Sequence, residues 1–356
     1  MHRRTLLRTL PLAAVGSAGC ATDPAVTPTP REIGDDRVRW THETDGRVNS
    51  SPIIVDGTLY VGSADGSLRA LDPATGALDW QVSVGENVWT DPAFADGVLY
   101  VGTTDGALVA VTDDGSEQWQ FRTGDGINSS NPTVVGDTVY VGSWDKHVYA
   151  VDAASGVERW SFAADAKFNG GPTVSGATVY AGSADRSAYA LDRETGDLRW
   201  SFEAEDRVDA APVVGDGVVF VADTEGLVHA LDPETGEAVW THDTVGSISA
   251  SPVLEDETLY VGNWLDSVYA LATDDGSERW RSEAPTGNVQ SDLTVSNGDL
   301  YFGDRWGYLF ALDADTGEYR WRYPTGNAVQ SRPFVTDDTV FVGSNDFSVY
   351  AIERGE

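Results

Sequence analysis

Ala70-Leu71-Asp72-Pro73-Ala74-Thr75-Gly76-Ala77-Leu78-Asp79-Trp80 is the stretch on which the fold turns, because its pattern returns along most of the chain. The tryptophan recurs as Trp40, Trp80, Trp119, Trp160, Trp200, Trp240, Trp280 and Trp321, at intervals of 40, 39, 41, 40, 40, 40 and 41. Alanine, aspartate and glycine travel with it, as in Ala150, Asp152 and Gly156, or Ala311, Asp313 and Gly317. Thr112 and Ala272 replace the aspartate in the second and sixth units. A period near 40 residues marks units that bury their apolar faces only against their neighbours.

Each unit reads as four short strands. The first opens at Pro52, Pro92, Pro132, Pro172, Pro212, Pro252 and Pro333, with Leu293 the exception; proline is tolerated where a strand begins. The second is β-branched and aromatic, as in Thr138-Val139-Tyr140-Val141. The third is of the type Val148-Tyr149-Ala150-Val151. A tight Thr-Gly or Asp-Gly turn then leads into the fourth, which carries the tryptophan. With no helical period anywhere, four strands per unit predict an all-β, eight-bladed β-propeller of four-stranded blades. The unit from Pro333 to Glu353 lacks a fourth strand, and Val38-Arg39-Trp40 lacks the preceding three. Together they predict a propeller over 37–356 whose ring is closed by the N-terminal strand, removing two unpaired edges. The eight periodic tryptophans are then docking residues between blades.

Ahead of the repeats, Arg3 and Arg4 precede a short apolar run, Leu10 to Val15, and small residues lead into Cys20, the only cysteine. This resembles a twin-arginine export signal joined to a lipobox, so 1–20 is expected to be a signal and Cys20 a lipidation site. Residues 21–36, rich in threonine, proline and acidic side chains, read as a tether. No stretch of 18 apolar residues occurs. The expected location is extracytoplasmic, at the cell membrane through the lipid anchor alone.

The 356 residues carry 57 acidic and 23 basic side chains, a formal net charge of −34, and the only lysines are Lys146 and Lys167. Such charge opposes compaction by self-repulsion unless salt screens it; in molar salt the Debye length is about 3 Å. An acidic, lysine-poor composition spread along the chain reads as adaptation to high salt, with an acidic surface for a basic partner as the alternative. Nucleic acid is excluded as a partner, since no basic stripe is present. A single cysteine leaves no disulfide framework or cysteine metal site. None of the five histidines forms an i, i+4 pair.

The motif Ala-x-Asp-x-x-Thr-Gly-x-x-x-Trp resembles the tryptophan-docking motif of pyrroloquinoline-quinone (PQQ) dehydrogenase propellers, and the repeats are similar to those of BamB-like lipoprotein propellers. The first resemblance implies PQQ with calcium and oxidation of alcohols or sugars. The dehydrogenases, however, carry long inserts and an adjacent cysteine pair over the quinone, whereas eight units here share 37–354 at about 40 residues each. The second resemblance implies a non-enzymatic scaffold in the cell envelope, without cofactor, metal or catalytic residues, binding an envelope protein or a small polar ligand as a monomer.

Within the repeats, the segments between second and third strands and those joining blades diverge most. They hold the four tryptophans outside the periodic set, Trp89, Trp144, Trp264 and Trp306. Lys146, His147, Asp266, Gln290, Arg305, Gln330 and Arg332 lie in the same segments. Aromatic rings with amides and a few charges, converging on a channel mouth, are the expected ligand or partner site.

Overall fold

The computed structural model of the chain describes residues 31–283 and 287–355. The expected signal over 1–20, with Cys20, and residues 21–30 of the expected tether lie outside the described residues. Strand β1 spans Val38–Glu43, and the first complete blade is β2 (Ile53–Val55), β3 (Thr58–Gly62), β4 (Ser67–Leu71) and β5 (Leu78–Ser83). These four pair antiparallel in sequence order. Six further blades repeat the arrangement over 93–122, 133–163, 173–203, 213–243, 253–282 and 294–324. In the eighth, three strands over 334–353 are completed by β1, which pairs with the strand Ser348–Glu353. The eight-bladed ring, closed by the N-terminal strand, is the architecture expected from the repeats. The first strand of each blade, Ile53–Val55 in the first and Phe334–Val335 in the eighth, lies innermost, beside the corresponding strands of its neighbours around the axis.

Each residue of the motif has a physical task. Ala70 sits directly opposite Trp80 across β4 and β5, where a small side chain leaves room for the indole, and a bulge follows between Ala70 and Leu71. The same bulge recurs between β1 and its partner, at Val38/Trp40. The indole then reaches into the next blade. Trp40 donates from Nε1 to the Pro73 carbonyl at 2.9 Å, and its ring lies against Gly76. A Cβ at Gly76 would come within 2.5 Å of that ring, and φ there is +70°, so only glycine serves both needs. Asp72 Oδ1 shapes the turn by accepting from Ala74 N, Thr75 N and the Thr75 hydroxyl. Where Thr112 and Ala272 stand instead, Asp114 and Asp275 accept from Ser116 N and Ser277 N. Inside each blade an aromatic of the second strand tilts against the tryptophan at 5.8 to 6.0 Å, as in Tyr60–Trp80, Phe220–Trp240 and Tyr301–Trp321.

Packing begins before residue 37. Glu32 bridges to Arg322 on the outermost strand of blade 7, and Ile33 is buried with Trp321 and Tyr323. The last residues assigned to a tether by composition therefore seal the outer edge of blade 7. No helix among the described residues is long and apolar enough to cross a membrane.

Candidate functional site on the loop face

The Asp-Gly turns emerge on one face of the ring, here the turn face. The loops between second and third strands and the blade-joining segments emerge on the other, the loop face. Around the axis on the loop face lies a cavity of about 830 Å³ to which all eight blades contribute. That volume is within the range of small-molecule sites.

Two rings of side chains build its wall. Two residues ahead of each innermost strand, before the proline or Leu293, stand Ser51, Asp91, Asn131, Gly171, Ala211, Ser251, Asp292 and Arg332 around the ring. Here the side chain of one blade accepts from the backbone of the blade before it. Ser51 N donates to Asp91 Oδ1 at 2.7 Å, Asp91 N to Asn131 Oδ1 at 2.8 Å, Ser251 N to Asp292 Oδ1 at 2.6 Å and Arg332 N to Ser51 Oγ at 2.8 Å. Two positions earlier in each segment stand Asn49, Trp89, Ser129, Asn169, Asp209, Ser249, Gln290 and Gln330. Asn49 Nδ2 donates to Gln330 Oε1 at 2.5 Å and Gln330 Nε2 to Gln290 Oε1 at 3.1 Å, while Asn169 Nδ2 donates to Asp209 Oδ1 at 2.7 Å. Burial pushes the Asp292 carboxyl up, against the opposing pull of the Ser251 N–H and Arg332. Lys167 places its ammonium 3.6 Å from the centre of the Trp144 ring, a cation–π contact.

The residues expected to form one site separate into two groups. Trp89, Trp144, Gln290, Gln330 and Arg332 line the cavity. Lys146, His147, Trp264, Asp266, Arg305 and Trp306 belong to the loop face but not to the cavity lining. Lys146 and Asp266 occupy the left-handed position of their loops, with φ of 76° and 59°, where other blades place Gly66, Gly106 or Gly307. His147 Nδ1 lies 3.0 Å from the Asp145 carbonyl, and its ring stacks on Tyr149. Trp264 donates from Nε1 to Ser249 Oγ at 2.7 Å, and Arg305 lies 5.9 Å from the Trp306 ring. Sequence reasoning passed over Asp91, Asn131, Asp209 and Asp292. Their signal is an equivalent place in each blade-joining segment, visible only once the units are superposed.

Outside the cavity the loop face is lopsided. Trp306 is 64% exposed and Leu265 63%, and Val245, Trp264 and Phe347 are exposed as well. All five belong to loops from the junction of blades 5 and 6 round to blade 8. The other large exposed apolar residues, Leu78, Val157, Leu198 and Val239, are scattered on outermost strands or the turns entering them, one to a blade. Scattered apolar residues are ordinary, whereas a concentration marks a contact surface.

Asp91 and Asp292 already accept backbone N–H bonds, and among the described residues no group of three His, Cys, Asp or Glu side chains could hold a metal ion. A tricarboxylate would meet Asp91, Asp209 and Asp292 as well as Lys167, Arg207 and Arg332.

A family described as outer membrane protein assembly factor BamB matches residues 32–161, 144–265 and 265–356. The chain belongs to this family. Among solved structures, BamB from Moraxella catarrhalis superposes with a TM-score of 0.76 at 18% identity, covering 89% of this chain and 99% of that one. The computationally designed protein Ika8 gives 0.80 at 18%, covering 88% and 98%. A europium-containing methanol dehydrogenase gives 0.77 at 16%, covering 88% and 87%. At these identities the likeness is one of fold, shared by this BamB-family chain, a designed ring and an enzyme alike. No curated protein matches the sequence.

Proposed function

We propose that this BamB-family propeller is a non-enzymatic binding and assembly scaffold of the cell envelope, exported and held at the membrane through a lipid on Cys20. The observation that carries the reading is the cluster of exposed Trp264, Leu265, Trp306 and Phe347 on loops of blades 6 to 8. Large aromatic side chains of this kind anchor protein partners, and the loops that carry them are short links between paired strands of one blade. The partner is an envelope protein and the propeller itself a monomer; no cofactor takes part. The net charge of −34 supports a setting of high salt, where an apolar contact persists while surface charges are screened.

A photo-crosslinker at position 306, compared with one at 198 on the outer edge, tests the reading in cells. A discrete adduct is expected at 306 and none at 198, and it should disappear when Leu265→Ser is added. Adducts that are equal at both positions, or absent at 306, would overturn it.

A further inference from the structure

The axial cavity differs from the rest of the molecule in its charge. The chain as a whole carries −34, yet the cavity wall sets Asp91, Asp209 and Asp292 against Lys167, Arg207 and Arg332, three charges of each sign. These charges are largely engaged with one another and with neighbouring groups. Asp209 has Arg207 at 3.6 Å besides the Asn169 amide, and Asp91 has Arg332 at 4.0 Å besides the Asn131 amide at 3.0 Å. A charged ligand would meet both signs in such a wall, so its own charge would find no net attraction.

Between these charges the wall presents side-chain amides beside the partly exposed rings of Trp89 and Trp144. The buried indole N–H groups of Trp89 and Trp144, and Oδ1 of Asn49, have no hydrogen-bond partner among the described residues, and all three side chains line the cavity. An unmet buried donor or acceptor costs about 1–3 kcal/mol, so three in one small cavity call for a cause. Hydroxyl groups both donate and accept, and they match the amides of Asn49, Gln290 and Gln330, which do both as well. The C–H face of a sugar ring is apolar and suits the face of an indole.

We propose that the axial cavity of the loop face binds a neutral saccharide, seated against the tryptophans of blades 2 and 3 and held by the linked amides of Asn49, Gln330 and Gln290. The site is independent of the exposed aromatic cluster on blades 6 to 8, and either can fail without the other. The ligand is a free sugar or the end of a larger glycan, which share this chemistry.

The test is calorimetric titration of the purified chain with glucose, N-acetylglucosamine, maltose and trehalose, with glutamate, lysine and tetra-alanine as comparisons. Saturable binding of at least one sugar is expected, with an affinity unchanged between low and molar salt, since a neutral ligand has no charge to screen. Trp89→Ala and Gln290→Ala should each weaken it about tenfold or more, about 1.4 kcal/mol, and Gln290→Ala should leave the melting temperature unchanged. A monosaccharide that binds as tightly as its disaccharide identifies a free sugar; a disaccharide bound far more tightly identifies a glycan end. The proposal is overturned if no sugar saturates by about 10 mM, some ten times a Kd of 1 mM. It is also overturned if both variants bind as the parent does, or if glutamate, lysine or tetra-alanine binds more tightly than every sugar.

Discussion

The two faces of the ring are built by the same eight blades under opposite constraints. On the turn face a single device is repeated: aspartate fixes the turn, glycine yields its Cβ space, and the tryptophan of the preceding blade fills it, as Trp160 does over Gly196 and Trp200 over Gly236. On the loop face the comparable left-handed position is Gly66, Gly106, Gly226 or Gly307 in four blades, but Lys146, Arg186, Asp266 and Phe347 in the other four. A non-glycine residue there carries a cost of about 1–2 kcal/mol. The turn face transmits blade-to-blade packing, so any departure is felt by two blades. The loop face is tied between blades by single hydrogen bonds, as from Gly124 N to Asp145 and from Gly326 N to Asp346, and not by a packed ring, so its side chains were freer to differ.

If stability resides in the closed ring and its turn face, the largest effect should come from unlatching it. Truncation to begin at Thr44 removes β1 and Trp40 and leaves one edge of the strand Ser348–Glu353 unpaired. It should cost most of a typical 5–15 kcal/mol of stability and produce a species that aggregates through its open edge; thermal unfolding and light scattering report both. Melting as in the full chain would show that the ring does not depend on its latch.

The tryptophans give a more direct comparison. Trp200→Ala empties an inter-blade contact and should cost about 3–5 kcal/mol, whereas Trp306→Ala on the exposed tip should stay within about 0.5 kcal/mol. Denaturant unfolding of the two variants measures the difference, and equal losses would remove the distinction between the faces. The smallest effect runs the other way. Lys146→Gly relieves the left-handed backbone and should raise stability by about 1 kcal/mol, partly offset by the freer unfolded chain. A loss instead would mean that the Lys146 side chain makes up for its backbone strain.

The candidate site was legible in the sequence only in outline. Trp89, Trp144, Gln290, Gln330 and Arg332 stood out because tryptophans, amides and rare cations interrupted a regular pattern. Asp91, Asn131 and Asp292 did not, because an acidic or amide residue in a blade-joining segment reads as an ordinary linker in so acidic a chain. Nor does spacing along the chain distinguish a residue at the axis from one at a loop tip. Asp91 and Asp266 are alike in type and in face, but the first accepts N–H bonds at the neck of the ring while the second stands in solvent.

The amino-acid sequence by itself determined the repeat, the strands, the number of blades and the way the ring closes, because those follow from local periodicity and from what each turn sterically requires. Tertiary structure alone decided which divergent residues share a cavity and which stand apart as an exposed aromatic cluster. That depends on distance from the axis, where eight segments separated by about 40 residues each are brought within reach of one another. There acidic and basic side chains from several blades face one cavity, leaving a pocket of balanced charge in a strongly acidic protein.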